Sequence, residues 1–324
     1  MEQKTNSLNK KAYIKYISSL LLFGTNGIIA SFILLPSNDI VFLRSLIGSI
    51  LLLLIFLASQ NTWTFLKYRK DIFFAVLSGA FMACSWSFLY EAYQQIGVSL
   101  ATLLYYCGPI IVMAISPILF KEKITLRKLI SILIVLFGVV LINRGASISG
   151  LSFFGILCGI LAAFFYAFMV IFGKLGDRIG GFEKSVIQLI STFLFVLLFR
   201  VITKGFSFEF SGGNWIPILL LGLSTGIGCY LYFSPLSKIP AQTIAISGYL
   251  EPLSAVLLSA LILRERMLPV QIIGAVFILG GAILGEIHFK KSDKKIIGYR
   301  EKVIGVAVFF ALLKTLLIIR DTYP

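Results

Sequence analysis

One carboxylate in this chain sits where a carboxylate is hardest to keep. Glu251 follows Gly248-Tyr249-Leu250 and precedes Pro252, inside an apolar run from Ala241 to Leu263. At about 1.5 Å per helical residue it lies roughly 15 Å from either end of that run. The hydrocarbon core of a bilayer is about 30 Å thick. If the run crosses a membrane, Glu251 stands at the midplane, where an ionisable group is expensive and by default functional. Pro252 has no N–H, so the carbonyl of Gly248 loses its normal helical partner. A loosened backbone beside a buried acid suits a site that holds a substrate's positive group or carries a coupling proton. The alternative is a satisfied structural acid.

Other residue types point the same way. Tyr105, Tyr106 and Tyr249 flank two prolines, Pro109 and Pro252. A buried tyrosine needs a partner for its hydroxyl, and a polar substrate or water can supply one. Gly108 and Pro109, with Gly248 and Pro252, are the candidate helix-break and hinge positions. Trp86, Tyr90 and Tyr93 recur on one helical face. Trp86 and Tyr90 are candidates to stack on substrate, with packing as the competing role, and Tyr93 is expected in an interfacial belt. Asn26 and Gln188 can hydrogen-bond a ligand or bridge helices. Arg44 could meet a substrate carboxylate, but snorkelling or pairing with Asp39 is the expectation. Glu122 and Glu265 end their helices beside basic residues, where local ion pairing explains them. Glu91 reaches water near a helix end.

The elements that must position these residues are membrane spans. The chain has 324 residues, 58% of them hydrophobic and 13% charged, against about 25% charged in soluble domains. Apolar runs recur from end to end with few polar faces, which reads as an all-α polytopic membrane protein. Ten spans follow: Tyr16–Leu34, Ile40–Leu57, Ile72–Tyr90, Ser99–Phe120, Leu126–Ile142, Leu151–Phe172, Val186–Val201, Trp215–Phe233, Ala241–Leu263 and Pro269–Gly285. Residues 1–15 form an N-terminal tail. After residue 286 comes a basic linker, then an apolar stretch, Val303–Ile319, interrupted by Lys314. It is either an eleventh helix or one lying in the interface.

The net charge of +15 is not a nucleic-acid signature, because the basic residues sit in short loops between apolar runs. With the N-terminus inside, the outer loops carry only Arg144, Arg200, Lys204, Arg264 and Arg266, while most Lys and Arg fall on the inner side. That bias predicts cytoplasmic N- and C-terminal segments. The four cysteines lie inside apolar runs without CxxC spacing, so no metal site or disulfide framework is indicated. The only histidine, His288, lies beyond the tenth span, and the aspartates are scattered at ends and loops. Neither an intramembrane enzyme's nucleophile and base nor a metal motif is in place. No P-loop is present, so nothing indicates ATP-driven transport or another cofactor. A channel or scaffold remains the other alternative.

The two halves repeat. One constant offset carries Tyr106 onto Tyr249, Pro109 onto Pro252, Glu122 onto Glu265 and Gly138 onto Gly281. The repeats are residues 16–145 and 146–286. Five spans per repeat is an odd number, so the second must enter the membrane inverted. Inverted repeats are a transporter signature, with the site at the repeat interface near the midplane. Gly248–Pro252 is then expected to face Tyr105–Pro109.

Taken in order, Lys238-Ile239-Pro240-Ala241, Tyr249-Leu250-Glu251-Pro252, Arg264-Glu265-Arg266, Gly274 and Gly281 resemble the EamA-type family of the drug/metabolite transporter superfamily. The first half matches through Leu89-Tyr90-Glu91-Ala92, Tyr105–Pro109, Lys121-Glu122-Lys123 and Gly138-Val139-Val140-Leu141. The resemblance implies ten helices with both ends cytoplasmic, a central cavity and alternating access. It implies a small-molecule substrate such as an amino acid, sugar or nucleotide sugar, often moved outward, and a bacterial cytoplasmic membrane as the location. It does not specify substrate, coupling ion or oligomeric state.

Overall fold

The computed structural model describes residues 2–33, 35–59, 63–64, 67–96, 98–142, 152–176, 178–205, 215–262 and 269–286. Among them the chain is helical, with no strand. The elements are α1 (Glu2–Gly24), α2 (Asn26–Ser31), α3 (Ser37–Ala58), α4 (Arg69–Ile96), α5 (Val98–Tyr105), α6 (Gly108–Phe120), α7 (Leu126–Ile142), α8 (Phe153–Lys174), α9 (Gly181–Lys204), α10 (Trp215–Phe233), α11 (Ala241–Gly248), α12 (Leu250–Ile262) and α13 (Pro269–Glu286). A 3-10 turn, Leu236–Lys238, joins α10 to α11. The apolar stretch 303–319 lies outside the described residues, as does the basic linker before it.

Among the described residues, five helical stretches are long and apolar enough to cross a bilayer: Asn38–Ala58, Arg69–Ile96, Phe153–Lys174, Gly181–Ile202 and Trp215–Lys238. Gly108–Phe120 and Ile272–Gly285 are shorter apolar helices. Side-chain placement fits a membrane solvent. Ile118, Leu126, Phe153, Ile202 and Ile216 are among many large apolar residues on the outside. Ser45, Ser78, Ser85, Gln188, Thr192, Thr225 and Gln242 are buried. A soluble fold would not leave so much apolar surface exposed, whereas helices in lipid expose it and bury small polar groups.

Three predicted spans are broken. The first divides at Thr25, between α1 and α2, and its helix starts at Glu2, well before the apolar run. The fourth divides at Tyr106-Cys107 and the ninth at Tyr249. The prolines explain the last two. Pro109 falls at the start of α6 and Pro252 is the third residue of α12. In a first turn the missing proline N–H costs nothing, so breaking just upstream turns an interior defect into a tolerated start.

These breaks are equivalent positions in the two halves. Tyr106 and Tyr249 are 143 residues apart, and the Tyr249 hydroxyl donates to the Tyr106 carbonyl at 2.7 Å. That carbonyl is free because the Ile110 N–H bonds to Cys107 instead. The helix pair α7–α13 crosses on small residues. A Cβ on Gly138 would stand 2.6 Å from the Gly274 carbonyl oxygen, and one on Gly281 would stand 3.0 Å from that of Ser131. Ser131 Oγ seals the crossing with a 2.6 Å hydrogen bond to the Gly281 carbonyl. Other packing is exchanged between the halves: α4 packs on α8 as α10 packs on α1, α4 on α9 as α10 on α3, and α6 on α8 as α12 on α1.

Candidate functional site

Glu251 stands in the first turn of α12, immediately after the break. Its side chain is partly exposed, not sealed in the core. Among the described residues no hydrogen bond or ion pair reaches its carboxylate; only its backbone carbonyl is engaged, by Ser254 Oγ at 2.8 Å.

The break residues form one aromatic cluster. Tyr105 meets Tyr106 at 5.8 Å between ring centroids and meets Tyr166 edge-on at 5.2 Å. Tyr106 meets Tyr249 at 6.2 Å. Tyr166 from α8 shares a 3.3 Å hydroxyl contact with Tyr232 of α10, and Tyr232 packs on Tyr16 of α1 at 5.1 Å. The Tyr16 hydroxyl donates to the Ile244 carbonyl at 2.9 Å. A Cβ on Gly248 would stand 3.4 Å from the Tyr166 hydroxyl. Both break segments thus meet at a cluster of tyrosines drawn from both halves.

Arg44 anchors a second cluster. It is buried, and its guanidinium lies 4.3 Å from the Trp86 ring centroid. Its Nε donates to Thr225 Oγ1 at 3.0 Å and its Nη1 to the Tyr90 hydroxyl at 3.2 Å. Asp39 is taken by Arg200 of α9, so the expected pairing of Arg44 with Asp39 does not occur, and Arg44 does not snorkel. Tyr93 packs on Tyr90 at 5.4 Å, and its hydroxyl accepts from Thr102. Glu91 accepts from Gln95 at an exposed place, as its position near a helix end suggested.

The remaining candidates sit elsewhere. The Asn26 amide oxygen accepts from Ser224 Oγ at 2.8 Å, which links α2 to α10. Gln188 is fully buried and donates to Ser78 Oγ at 2.8 Å, between α9 and α4, while its Oε1 has no hydrogen-bond partner. Tyr16, Tyr166 and Tyr232 join the tyrosine cluster without having been singled out, while Arg44, weighed as a partner for a substrate carboxylate, is buried against Trp86, Tyr90 and Thr225. For Arg44 the signal was a charge within an apolar run; for the tyrosines there was none beyond their type.

A second polar cluster ties the halves together at one end of the bundle. Lys121 ends α6 in the left-handed conformation, at φ 54°. Glu122 then turns onto α11, where its two oxygens accept from the N–H groups of Ala241 and Gln242 at 2.7 and 3.1 Å. Lys174 lies 3.9 Å from the same carboxylate and donates to the Ile239 carbonyl. The Gln242 side chain donates to Ser116 and accepts from Lys128. Glu122 therefore caps a helix of the other half, in place of the local ion pairing its neighbours suggested. Glu265 lies outside the described residues.

The sequence profile of the EamA-like transporter family matches residues 10–144 and again 153–285. The chain belongs to the EamA-like transporter family. The two matched stretches begin 143 residues apart, the separation that also relates Tyr106 to Tyr249. Among its relatives is the uncharacterized transporter YxxF of Bacillus subtilis, 29% identical over 277 residues, covering 84% of this chain and 88% of the relative. The uncharacterized transporter YetK of the same organism is 28% identical over 298 residues, covering 87% and 88%. An uncharacterized transporter of Helicobacter pylori J99 is 30% identical over 239 residues, covering 69% and 78%. A protein crystal structure shares the fold at TM-score 0.71 and 18% identity, over 85% of this chain and 96% of its own. The EamA-like chain is an integral membrane protein of a transporter family.

Proposed function

We propose that this protein is a secondary transporter that exports small polar metabolites such as amino acids by alternating access at a midplane site. The observation that carries this reading is the Glu251 carboxylate, with no hydrogen bond or ion pair among the described residues, in the first turn after the break where Tyr249 bonds to the Tyr106 carbonyl. A carboxylate within a span calls for a ligand, a proton or a cation to compensate it. Site residues on this reading are Glu251, Tyr249, Tyr106, Tyr105, Trp86 and Tyr90, with Gly108, Pro109, Gly248 and Pro252 as hinges, while Asn26 and Gln188 bridge helices around them.

The architecture on this reading is ten transmembrane helices in two inverted five-helix repeats, with the N-terminus in the cytoplasm of a bacterial cell. The exchanged packing supports it, since a two-fold relation between halves makes contacts recur with the halves swapped. The Glu122 cluster adds support, because Glu122, Lys128, Lys174 and Gln242 all fall on the side the basic loops assign to the cytoplasm. Held together, that cluster closes the inner end of the pathway. Release of the Glu122 cap lets the halves rock about the central breaks and exposes Glu251 inward.

The test is counterflow in proteoliposomes preloaded with unlabelled amino acids, followed with the same compounds labelled. A carrier gives saturable, transient overshoot for at least one compound. Flux that rises linearly with concentration and shows no overshoot contradicts it and favours a channel.

A further inference from the structure

The corner between α6 and α7 has two sides. Glu122 turns onto α11, while Lys121 and Lys123, its neighbours in the chain, are exposed. Among the described residues neither lysine makes a hydrogen bond or an ion pair. The other basic groups nearby are engaged: Lys128 by Gln242, and Lys174 by Ile239 and Glu122. Glu122 does not satisfy its neighbours, because both its oxygens are held by α11. An apolar stripe starts directly after the two lysines. Leu126, Leu129, Leu133, Phe137 and Val140 are 72, 44, 58, 51 and 49% exposed. Their spacing of three or four residues puts them on one helical face. The opposite face of α7, with Ile132, Val135 and Val139, is buried, and α13 is the helix packed against α7. From Leu126 to Val140 the stripe is about 20 Å long. That exceeds the roughly 15 Å of acyl chain in one leaflet.

Two exposed ammonium groups at the head of an exposed apolar stripe match one kind of molecule. We propose that the α6–α7 corner binds an anionic phospholipid, with its phosphate on Lys121 and Lys123 and its acyl chains along the α7 stripe. Lysines at a helix end reach headgroup level while the stripe below them lies in hydrocarbon. A zwitterionic headgroup brings its own cation beside the lysines, and an anionic one does not. The basic pair that opens α4 lacks this combination. Arg69 and Lys70 share their turn with Asp71, which repels phosphate, and Phe73 is the one large apolar residue of α4 that is strongly exposed. A second copy of this chain fits the stripe less well. Two copies joined symmetrically through α7 would bring Lys121 and Lys123 toward the same residues of the partner copy, and like charges across an interface are costly. The bound lipid has a consequence inside the fold. It braces from outside the same segment whose carboxylate caps α11 from within, so it stabilises the tie between the halves.

The experiment titrates the purified full chain in detergent with phosphatidylglycerol, with phosphatidylcholine and with inorganic phosphate. Retained lipid is read by native mass spectrometry and the unfolding midpoint by a thermal melt. The wild type should retain phosphatidylglycerol at lower concentration than phosphatidylcholine, and phosphatidylglycerol should raise the midpoint. Each lysine near a membrane surface is worth about fivefold in affinity. Lys121→Gln and Lys123→Gln should therefore each weaken phosphatidylglycerol about fivefold, and the double variant on the order of 30-fold. Arg69→Gln with Lys70→Gln removes the same charge from α4 and should leave the preference in place. Equal retention of the two lipids by the wild type overturns the proposal, whether or not any variant folds. So does a single or double lysine variant, folded by its sizing profile, that keeps the wild-type preference. A midpoint raised as far by inorganic phosphate alone assigns the corner to a free anion and overturns the lipid. Lipid-independent cross-linking between copies through Leu133→Cys assigns the stripe to a second chain and overturns it as well. None of these outcomes depends on what is transported, so they are separate from the counterflow test above.

Discussion

At the residue scale the account turns on side chains placed by tertiary pairing. Tyr249 serves as a tie, since its hydroxyl holds the carbonyl that the break at Tyr106 leaves free. Tyr249→Phe keeps the ring and orphans that buried carbonyl, at a cost of about 1–3 kcal/mol. Thermal unfolding in detergent should show a lower midpoint, and an unchanged midpoint would mean that the bond is not a tie between the halves. Arg44 shows what the sequence could and could not disclose. Its charge in an apolar run was visible, and Asp39 five positions earlier was the obvious partner. Arg200, more than 150 residues on, takes Asp39 instead, and no local pattern announces such a pairing. Tyr166 and Tyr232 are likewise ordinary tyrosines in apolar runs until α8 and α10 bring their hydroxyls together.

At the element scale, periodicity and proline chemistry carried far. The apolar runs mark where α3, α4 and α7 to α10 lie, and the prolines mark where the fourth and ninth spans divide. The break at Thr25 has no such mark. It lies beside a close approach, where a Cβ on Gly24 would run into Ser254 of α12, so packing with the other half, not local sequence, goes with it. Two predictions belong here. In Gly138→Leu the new side chain meets the Gly274 backbone, which cannot swing aside, so the α7–α13 crossing should open at a cost of about 1–3 kcal/mol. The check is a lowered unfolding midpoint with the same substitution at exposed Gly280, where a Cβ meets nothing, as control. In Glu122→Ala, α11 loses its cap from the first half, at a cost of about 0.5–2 kcal/mol. Cysteines introduced on the two sides of that cap should then cross-link less readily, whereas Glu91→Ala, at a surface bond to Gln95, should change nothing.

At the scale of the whole molecule, the repeat was legible because special residues recur at one offset, and the structure turns that offset into contact. Tyr106 touches Tyr249, and Gly138 and Gly281 share the α7–α13 crossing. Orientation across the membrane belongs to the proposal. Single cysteines at Lys10 and Lys291 should resist impermeant reagents applied to intact cells and react after permeabilisation; labelling from outside would reverse the topology. The central claim is that Glu251 is the residue on which transport depends most, and it is tested most directly by counterflow with Glu251→Gln. Glutamine keeps the shape and a hydrogen-bonding head but cannot ionise. The account predicts a well-folded variant with counterflow lost, or with affinity sharply reduced if the carboxylate holds the substrate's cation. If it carries a coupling proton instead, exchange survives and dependence on the pH gradient disappears. A variant that carries the same substrate with unchanged affinity, rate and pH dependence would contradict the account and leave Glu251 a structural acid.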